Sequence, residues 1–118
     1  MSSSFVEKIV KSCPFEVDIY CEGYPDVIYE IILDDQPTQE QIETAVTALE
    51  DFVYGYNKTH ILRPIHDVSE ISGIPGINYH PRGIYVHIDF GLCSLKAPFL
   101  AVKALQETDL PIFRVALR

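Results

Sequence analysis

Apolar positions recur along this chain with two different periods, and the switches between them mark out its elements. Between Gly83 and Gly91, Ile84, Val86, Ile88 and Phe90 alternate with Tyr85, His87 and Asp89. A period of two sends alternate side chains to opposite faces of a β-strand. One face of this strand is therefore apolar, and the other carries a phenol, an imidazole and a carboxylate. Strands inside a doubly covered parallel sheet are apolar on both faces. The alternation thus predicts a two-layer arrangement, with helices mainly on one face of the sheet.

The same reading extends along the chain. Phe5, Val6, Ile9 and Val10 sit at helical spacing behind Ser2 to Ser4 as candidate caps, which predicts a short helix over 4–12, stopped before Pro14. In 16–22, Val17, Ile19 and Cys21 alternate with Asp18, Tyr20 and Glu22. A turn at Gly23-Tyr-Pro-Asp26 leads into a second strand, 27–33, so 16–33 is expected to form an antiparallel hairpin. The second strand is apolar on both faces apart from Glu30, which predicts a central position.

Residues 38–56 carry the clearest helical pattern. Thr38 and Gln41 form a capping box, and Ile42, Ala45, Val46, Leu49, Phe52, Val53 and Tyr56 make one apolar stripe, with Gly55 and Asn57 as helix-ending chemistry. Residues 57–82 read as a long ordered connection, with at most one helical turn from Val68 to Ile71 capped by Asp67. After the strand at 83–90 comes a helix from Leu95 to Glu107, with Ser94 as N-cap and Pro98 in its first turn. Residues 111–117 close the chain as a strand. The expected order is α-β-β-α-β-α-β. The expected fold is an α/β (α+β) two-layer sandwich on a four-stranded mixed sheet, one strand antiparallel to the rest, forming a single domain over 1–118.

Charge narrows the function classes. Lys and Arg number 9 against 17 Asp and Glu, a formal net charge of -8. Nucleic acid and anionic lipid both need positive surface, so neither is expected as a partner, whereas a basic protein is. The three cysteines, Cys13, Cys21 and Cys93, are widely spaced and include no Cys-x-x-Cys, which predicts reduced thiols in a cytoplasmic protein rather than a disulfide framework or a zinc site. The N-terminus lacks the basic and apolar regions of a signal peptide, and no apolar run approaches the roughly 20 residues that span a bilayer.

No motif declares a catalytic or cofactor site. His60, His66, His80 and His87 show no metal-ligand spacing, so no metal and no cofactor are expected. His87 and Asp89 share one strand face with Tyr85, in a row expected to abut Asp18, Tyr20 and Glu22. An aspartate beside an imidazole is half of a catalytic arrangement, and His80 or His66 is the candidate third member. The nucleophile is missing, with neither Gly-x-Ser-x-Gly nor a cysteine in an activating context. Arg63, Arg82, Tyr79 and His80 suggest phosphate handling only if a glycine loop opened a helix, and Gly73-Ile-Pro-Gly76 does not.

The remaining signal is a surface. Glu40, Glu43, Glu50, Asp51 and Tyr54 share one side of the 38–56 helix, where complementary charge would speed and direct the docking of a basic partner. Tyr20, Tyr24, Tyr54 and Tyr85 are the candidate aromatic anchors. The expected function is a small acidic binding protein, an inhibitor of the immunity type that neutralises a basic partner such as a nuclease toxin. In size and charge, and in no motif, the chain resembles small acidic bacterial immunity proteins. The partner-binding residues expected are Glu43, Glu50, Asp51, Tyr54, His66, Asp67, Tyr79, His80, Arg82 and Tyr85. A small hydrolase-type enzyme using His87, Asp89, His80 and His66 on the open sheet face is the first alternative. A subunit that self-associates through that face is the second.

Overall fold

The structure, a computed structural model, describes residues 2–118, with side chains described from Ser4 onward. The capping roles expected of the Ser2 and Ser3 side chains, and the reading of Met1, lie outside the described residues. In chain order the elements are α1 (Ser2–Ser12), β1 (Glu16–Ile19), β2 (Asp26–Leu33), α2 (Gln39–Thr59), β3 (Asp67–Glu70), β4 (Gly83–Asp89), α3 (Ala97–Gln106) and β5 (Ile112–Leu117). The five strands form one sheet in the order β1-β5-β2-β4-β3. β1 pairs with β5 in parallel, and every other pairing is antiparallel. The fold is therefore mixed α+β, on a sheet of five strands rather than four.

Two expectations about pairing are corrected. Residues 16–33 do not form a hairpin, because β5 lies between β1 and β2. The chain leaves β1 with Tyr20 and Cys21 both donating to the Leu117 carbonyl, at 2.8 and 3.0 Å, and Cys21 takes φ +51. Those bonds tie the segment to β5, and the turn that follows carries it past that strand to the far side. Of the residues expected as a helical turn, Val68 to Ile71, the first three belong to the edge strand β3 and Ile71 follows it. The His66 amide donates to the Asp89 carbonyl at 2.8 Å and the Ile71 amide to the Tyr85 carbonyl at 3.0 Å, so β4 captures the segment at both ends. The expected central position of β2 holds, since it is the third strand of five.

Helix boundaries moved where local chemistry was overridden. α2 carries the capping box at Thr38 and Gln41, but it runs through the exposed Gly55 to Thr59. α3 begins at Ala97 rather than at Leu95, and Lys96 occupies the N-cap without a side-chain cap. Ser94 acts one turn earlier, its hydroxyl accepting from the Lys96 amide at 3.2 Å.

The core lies between the helices and one sheet face. Val27, Tyr29, Ile31 and Leu33 of β2, Ile84, Val86 and Ile88 of β4 with Phe90 beyond it, and Val115 and Leu117 of β5 pack with Ala45, Leu49 and Val53 of α2. Ala97, Ala101, Val102 and Leu105 of α3 and Ile9 of α1 complete it. Tyr29 crosses this layer fully buried, its hydroxyl donating to the Pro98 carbonyl at 2.6 Å. α3 lies between its two neighbours. Gln106 donates to Ser12 and Cys13 at the end of α1, and α2 flanks the other side.

Candidate functional site

The second sheet face carries β2 and β4 side chains in register, with Glu30 opposite Tyr85, Ile28 opposite His87 and Asp26 opposite Asp89. The neighbours of the Tyr85, His87 and Asp89 row are thus on β2 and β3. They are not Asp18, Tyr20 and Glu22: Asp18 is on β1, separated from β4 by β5 and β2, and the other two lie past the end of β1. Part of this face is covered. The segment 71–82 crosses it as a strap, turning at Gly73 (φ +68) and Gly76 (φ +87), which a side chain would strain. Tyr79 meets the Tyr85 ring edge-on at 4.9 Å between centroids, and the His80 amide donates to Tyr85 Oη at 2.7 Å. Tyr85 Oη in turn donates to Glu30 Oε2 at 2.6 Å, and Glu30 Oε1 accepts from Arg118 Nη2 at 3.1 Å and Nε at 3.3 Å.

Glu30 and Tyr85 are 7% and 5% exposed, so this network is inside the protein. Burial, then the hydrogen bond to Glu30, pushes the Tyr85 phenol up to about 12. The hydrogen bond to Glu30 raises Arg118 further. A cleft of about 330 Å³ between strap and sheet is lined by Ile28, Ile77, Asn78, Tyr85 and Arg118. Its phenol is already paired to the carboxylate and the amide, so it offers neither a base nor a nucleophile to a substrate. Tyr85 bolts the strap to the sheet. It presents no surface as an anchor.

Of the alternative catalytic set, His66 and Asp89 alone are brought together. His87 Nε2 lies 2.9 Å from Asp26 Oδ1, while Asp89 is engaged by the Gly91 amide at 3.0 Å and by His66 Nδ1 at 3.7 Å. His80 Nδ1 accepts from the Arg82 amide at 3.0 Å, inside the strap. Each histidine has its own partner, and among the described residues no group of three His, Cys, Asp or Glu side chains is placed to hold a metal ion. All three cysteines are free thiols, and burial raises each of them. Arg63 and Arg82 belong to different loops: the first touches Cys93, and the second donates to the Asp34 carbonyl at 3.1 Å.

The expected partner-binding residues divide between surfaces. Glu43, Glu50, Asp51 and Tyr54 are exposed on α2, in the helical layer. His66 and Asp67 are exposed at the start of β3, while Tyr79, His80 and Arg82 are half-buried in the strap on the opposite side of the sheet. Of the other tyrosines, Tyr20 is exposed beneath the Arg118 guanidinium, and Tyr24 is half-buried with its hydroxyl on the Cys93 carbonyl.

A groove between α2 and the end of α3 gathers what the helix pattern showed only in part. Glu40, Glu43, Thr44, Thr47, Ala48 and Asp51 line one wall, and Glu107, Thr108 and Asp109 the other, around about 460 Å³. An adjoining stretch of about 540 Å³ continues over Phe52, Leu100, Lys103 and Ala104. The groove thus has five carboxylates, one lysine and an apolar floor. No ion pair engages those carboxylates among the described residues. Glu50 and Tyr54 lie outside this lining. Glu107 and Asp109 were missed as site residues. Their signal was present as an acidic pair just past the helix end, but only the antiparallel packing of α3 on α2 sets it opposite Glu40 and Glu43.

The chain matches no family model, and no curated protein is significantly similar to it. No helix among the described residues is long and apolar enough to cross a membrane.

Proposed function

We propose that this chain is a binding protein whose α2–α3 groove receives a cationic element of a protein partner. The observation that carries the proposal is the convergence of Glu40, Glu43, Asp51, Glu107 and Asp109 on one groove with an apolar floor. Carboxylates at the walls select Lys and Arg and steer their approach, while Ala48, Phe52, Leu100 and Ala104 offer apolar area for the contact itself. The dispersal of the histidines among separate partners supports binding over catalysis. An inhibitor of the immunity type is the concrete form of this reading. A nuclease toxin must itself be basic to hold a polyanion, and a carboxylate-lined groove competes for the same surface.

The test is fluorescence anisotropy with a labelled amphipathic helical peptide that carries Lys and Arg on one face and Leu on the other. Binding weakens as salt rises. Glu43→Lys with Asp51→Lys weakens it by about tenfold or more, whereas Glu16→Lys with Glu70→Lys, the same change in net charge elsewhere, leaves it nearly unchanged. Equal losses in the two pairs would show that only net charge matters and would remove the groove from the argument. A second assay adds the chain to a basic ribonuclease and reads inhibition of cleavage.

A further inference from the structure

Four large aliphatic side chains stand outside the fold at one end of the helix pair. Ile61, Leu62, Leu92 and Leu95 are 79%, 95%, 76% and 65% exposed. They sit on two loops that touch, where the Cys93 thiol donates to the Arg63 carbonyl at 3.3 Å. Single exposed aliphatics are ordinary, but several on one small surface mark a contact region.

This tip is held in shape. Asn57 clamps Ile65 through both of its backbone groups, at 3.0 and 2.7 Å, and the Arg63 amide closes a turn onto the His60 carbonyl at 3.3 Å. The His60 ring stacks on Tyr56 with centroids 3.8 Å apart. A surface ordered in advance loses little entropy on docking.

The tip is also where the chain's charge reverses. Residues 57–66 and 90–96, which carry the four aliphatics, contain no Asp or Glu, in a chain with 17 of them, and they hold Lys58, Arg63 and Lys96, with Lys58 over the Tyr54 ring and Lys96 over the Phe5 ring. Asp26, Asp67 and Asp89 stand in register at the adjoining end of the sheet, Asp26 paired with His87 and Asp89 engaged by the Gly91 amide and His66. α2 and α3 run antiparallel, since the start of α2 faces the end of α3 across the groove while the loop after α2 meets the loop before α3. The carboxylate groove and the cationic apolar tip therefore occupy opposite ends of one helix pair.

We propose that the tip docks into the groove of a second copy of this chain, head to tail. The proposal rests on the groove being a receptor for a cationic element, and it names the chain itself as an occupant. A tip-to-tip dimer would set Lys58, Arg63 and Lys96 against their own kind, and a groove-to-groove dimer would do the same with carboxylates. Only the tip-to-groove pairing is complementary in both charge and apolar surface. At about 0.15 M salt the Debye length is about 8 Å, so the facing patches outweigh the distant charge that makes each copy net negative. One tip and one groove per copy make a heterologous contact, which extends or closes into a ring. A basic partner then competes with self-association for the same groove.

The experiment is sedimentation velocity over a range of concentrations. It uses the wild type, a tip variant (Leu62→Asp with Leu95→Asp) and a groove variant (Glu43→Lys with Asp51→Lys), all at exposed positions and checked for fold by circular dichroism. The wild type grows in mass with concentration, and each variant alone stays monomeric. A one-to-one mixture of the variants forms a dimer and nothing larger, because it contains one working tip and one working groove per pair. A wild type that stays monomeric throughout overturns the proposal, as does a tip variant that associates like the wild type or a mixture that fails to pair. Flotation of monomeric wild type with phosphatidylserine vesicles, lost in the tip variant, would assign the tip to lipid and equally overturn it. The helical peptide separates this from failure of the groove reading: peptide binding that persists without self-association removes only the second copy, whereas a groove variant that binds peptide normally removes the groove.

Discussion

Tyr85→Phe removes one oxygen and, with it, the bolt between strap and sheet. That oxygen donates to Glu30 Oε2 at 2.6 Å and accepts from the His80 amide at 2.7 Å, on a side chain 5% exposed. A hydrogen bond to a charged group contributes about 1.5–3 kcal/mol and a neutral one about 1 kcal/mol, and the unpaired His80 amide adds its own desolvation. Arg118 still pairs with Glu30, which limits the loss. The expected destabilisation at neutral pH is about 2–4 kcal/mol. The pH dependence gives a sharper signature. The folded phenol is pushed up from 10 to about 12, so below pH 10 both folded and unfolded chains keep the proton and the contribution is flat. Between pH 10 and 12 the unfolded chain releases the proton and the folded chain does not. Stability therefore falls as pH rises, by roughly 2.7 kcal/mol across the interval. The Phe variant lacks this slope, so wild type and variant converge as pH rises. Burial also raises Tyr24, Tyr29, Tyr56 and the three thiols, whose slopes have the same sign. They are common to both proteins and cancel in the difference. Urea unfolding followed by circular dichroism between about pH 8 and 11 measures that difference. Parallel curves, or a loss below about 0.5 kcal/mol at neutral pH, would refute the network as drawn.

Three further outcomes follow from local geometry. Gly91→Ala at φ +56 drives a Cβ into the His66 ring and displaces it from Asp89, whereas Gly73→Ala at φ +68 meets nothing within 4 Å. The first therefore costs more in urea unfolding, both paying roughly 1 kcal/mol for the left-handed backbone. Thr38→Ala removes the hydroxyl that accepts from the Gln41 amide at 3.2 Å and lowers stability by about 0.5–2 kcal/mol, seen as a lower Tm. Thiol labelling is slow at neutral pH and accelerates as pH rises, with the buried Cys93 slowest, because burial raises all three thiols. A rapid phase at neutral pH would reveal a thiolate that this environment does not support.

The elements were legible where one pattern ran long enough to exclude the others. The Ile84 to Phe90 alternation and the α2 stripe each fixed a face as well as an element, and both faces point into the core. The pairing of β1 was not legible, because local turn chemistry at Gly23 to Asp26 says nothing about a strand 90 residues later. A usable signal was present in β5. Val115, Ala116 and Leu117 are consecutive and almost wholly buried, which belongs to a strand flanked on both sides rather than one closing an edge. β3 contributes one apolar residue, Val68, between polar neighbours, and its strand character comes from β4 beside it. The polar face of β4 was read correctly from its alternation, but its cover was not. The strap folds over it because Tyr85, two residues from Gly83, turns its ring back over the space a side chain there would fill. A Cβ at Gly83 would lie 2.7 Å from that ring.

The position of Glu107 and Asp109 argues that folding did not select them. Glu40 stands in the first turn of α2, where the helix dipole favours an anion. Glu107 is the C-cap of α3, and Asp109 lies two residues beyond, where the same dipole favours a cation. Both face further carboxylates across the groove, and no cation within 4 Å relieves them among the described residues. A fold selected for stability alone would place Lys there. Glu107→Lys is therefore expected to stabilise the chain by about 0.3–1 kcal/mol through the dipole, the repulsion relieved across the groove being set against a new like-charge neighbour in Lys103 one turn back, and to raise Tm. The same substitution weakens binding of the amphipathic basic peptide severalfold. The two changes must have opposite signs. A variant that loses stability along with binding would mean that Glu107 serves the fold, and one that gains stability while binding as before would mean that the groove serves something other than a cation.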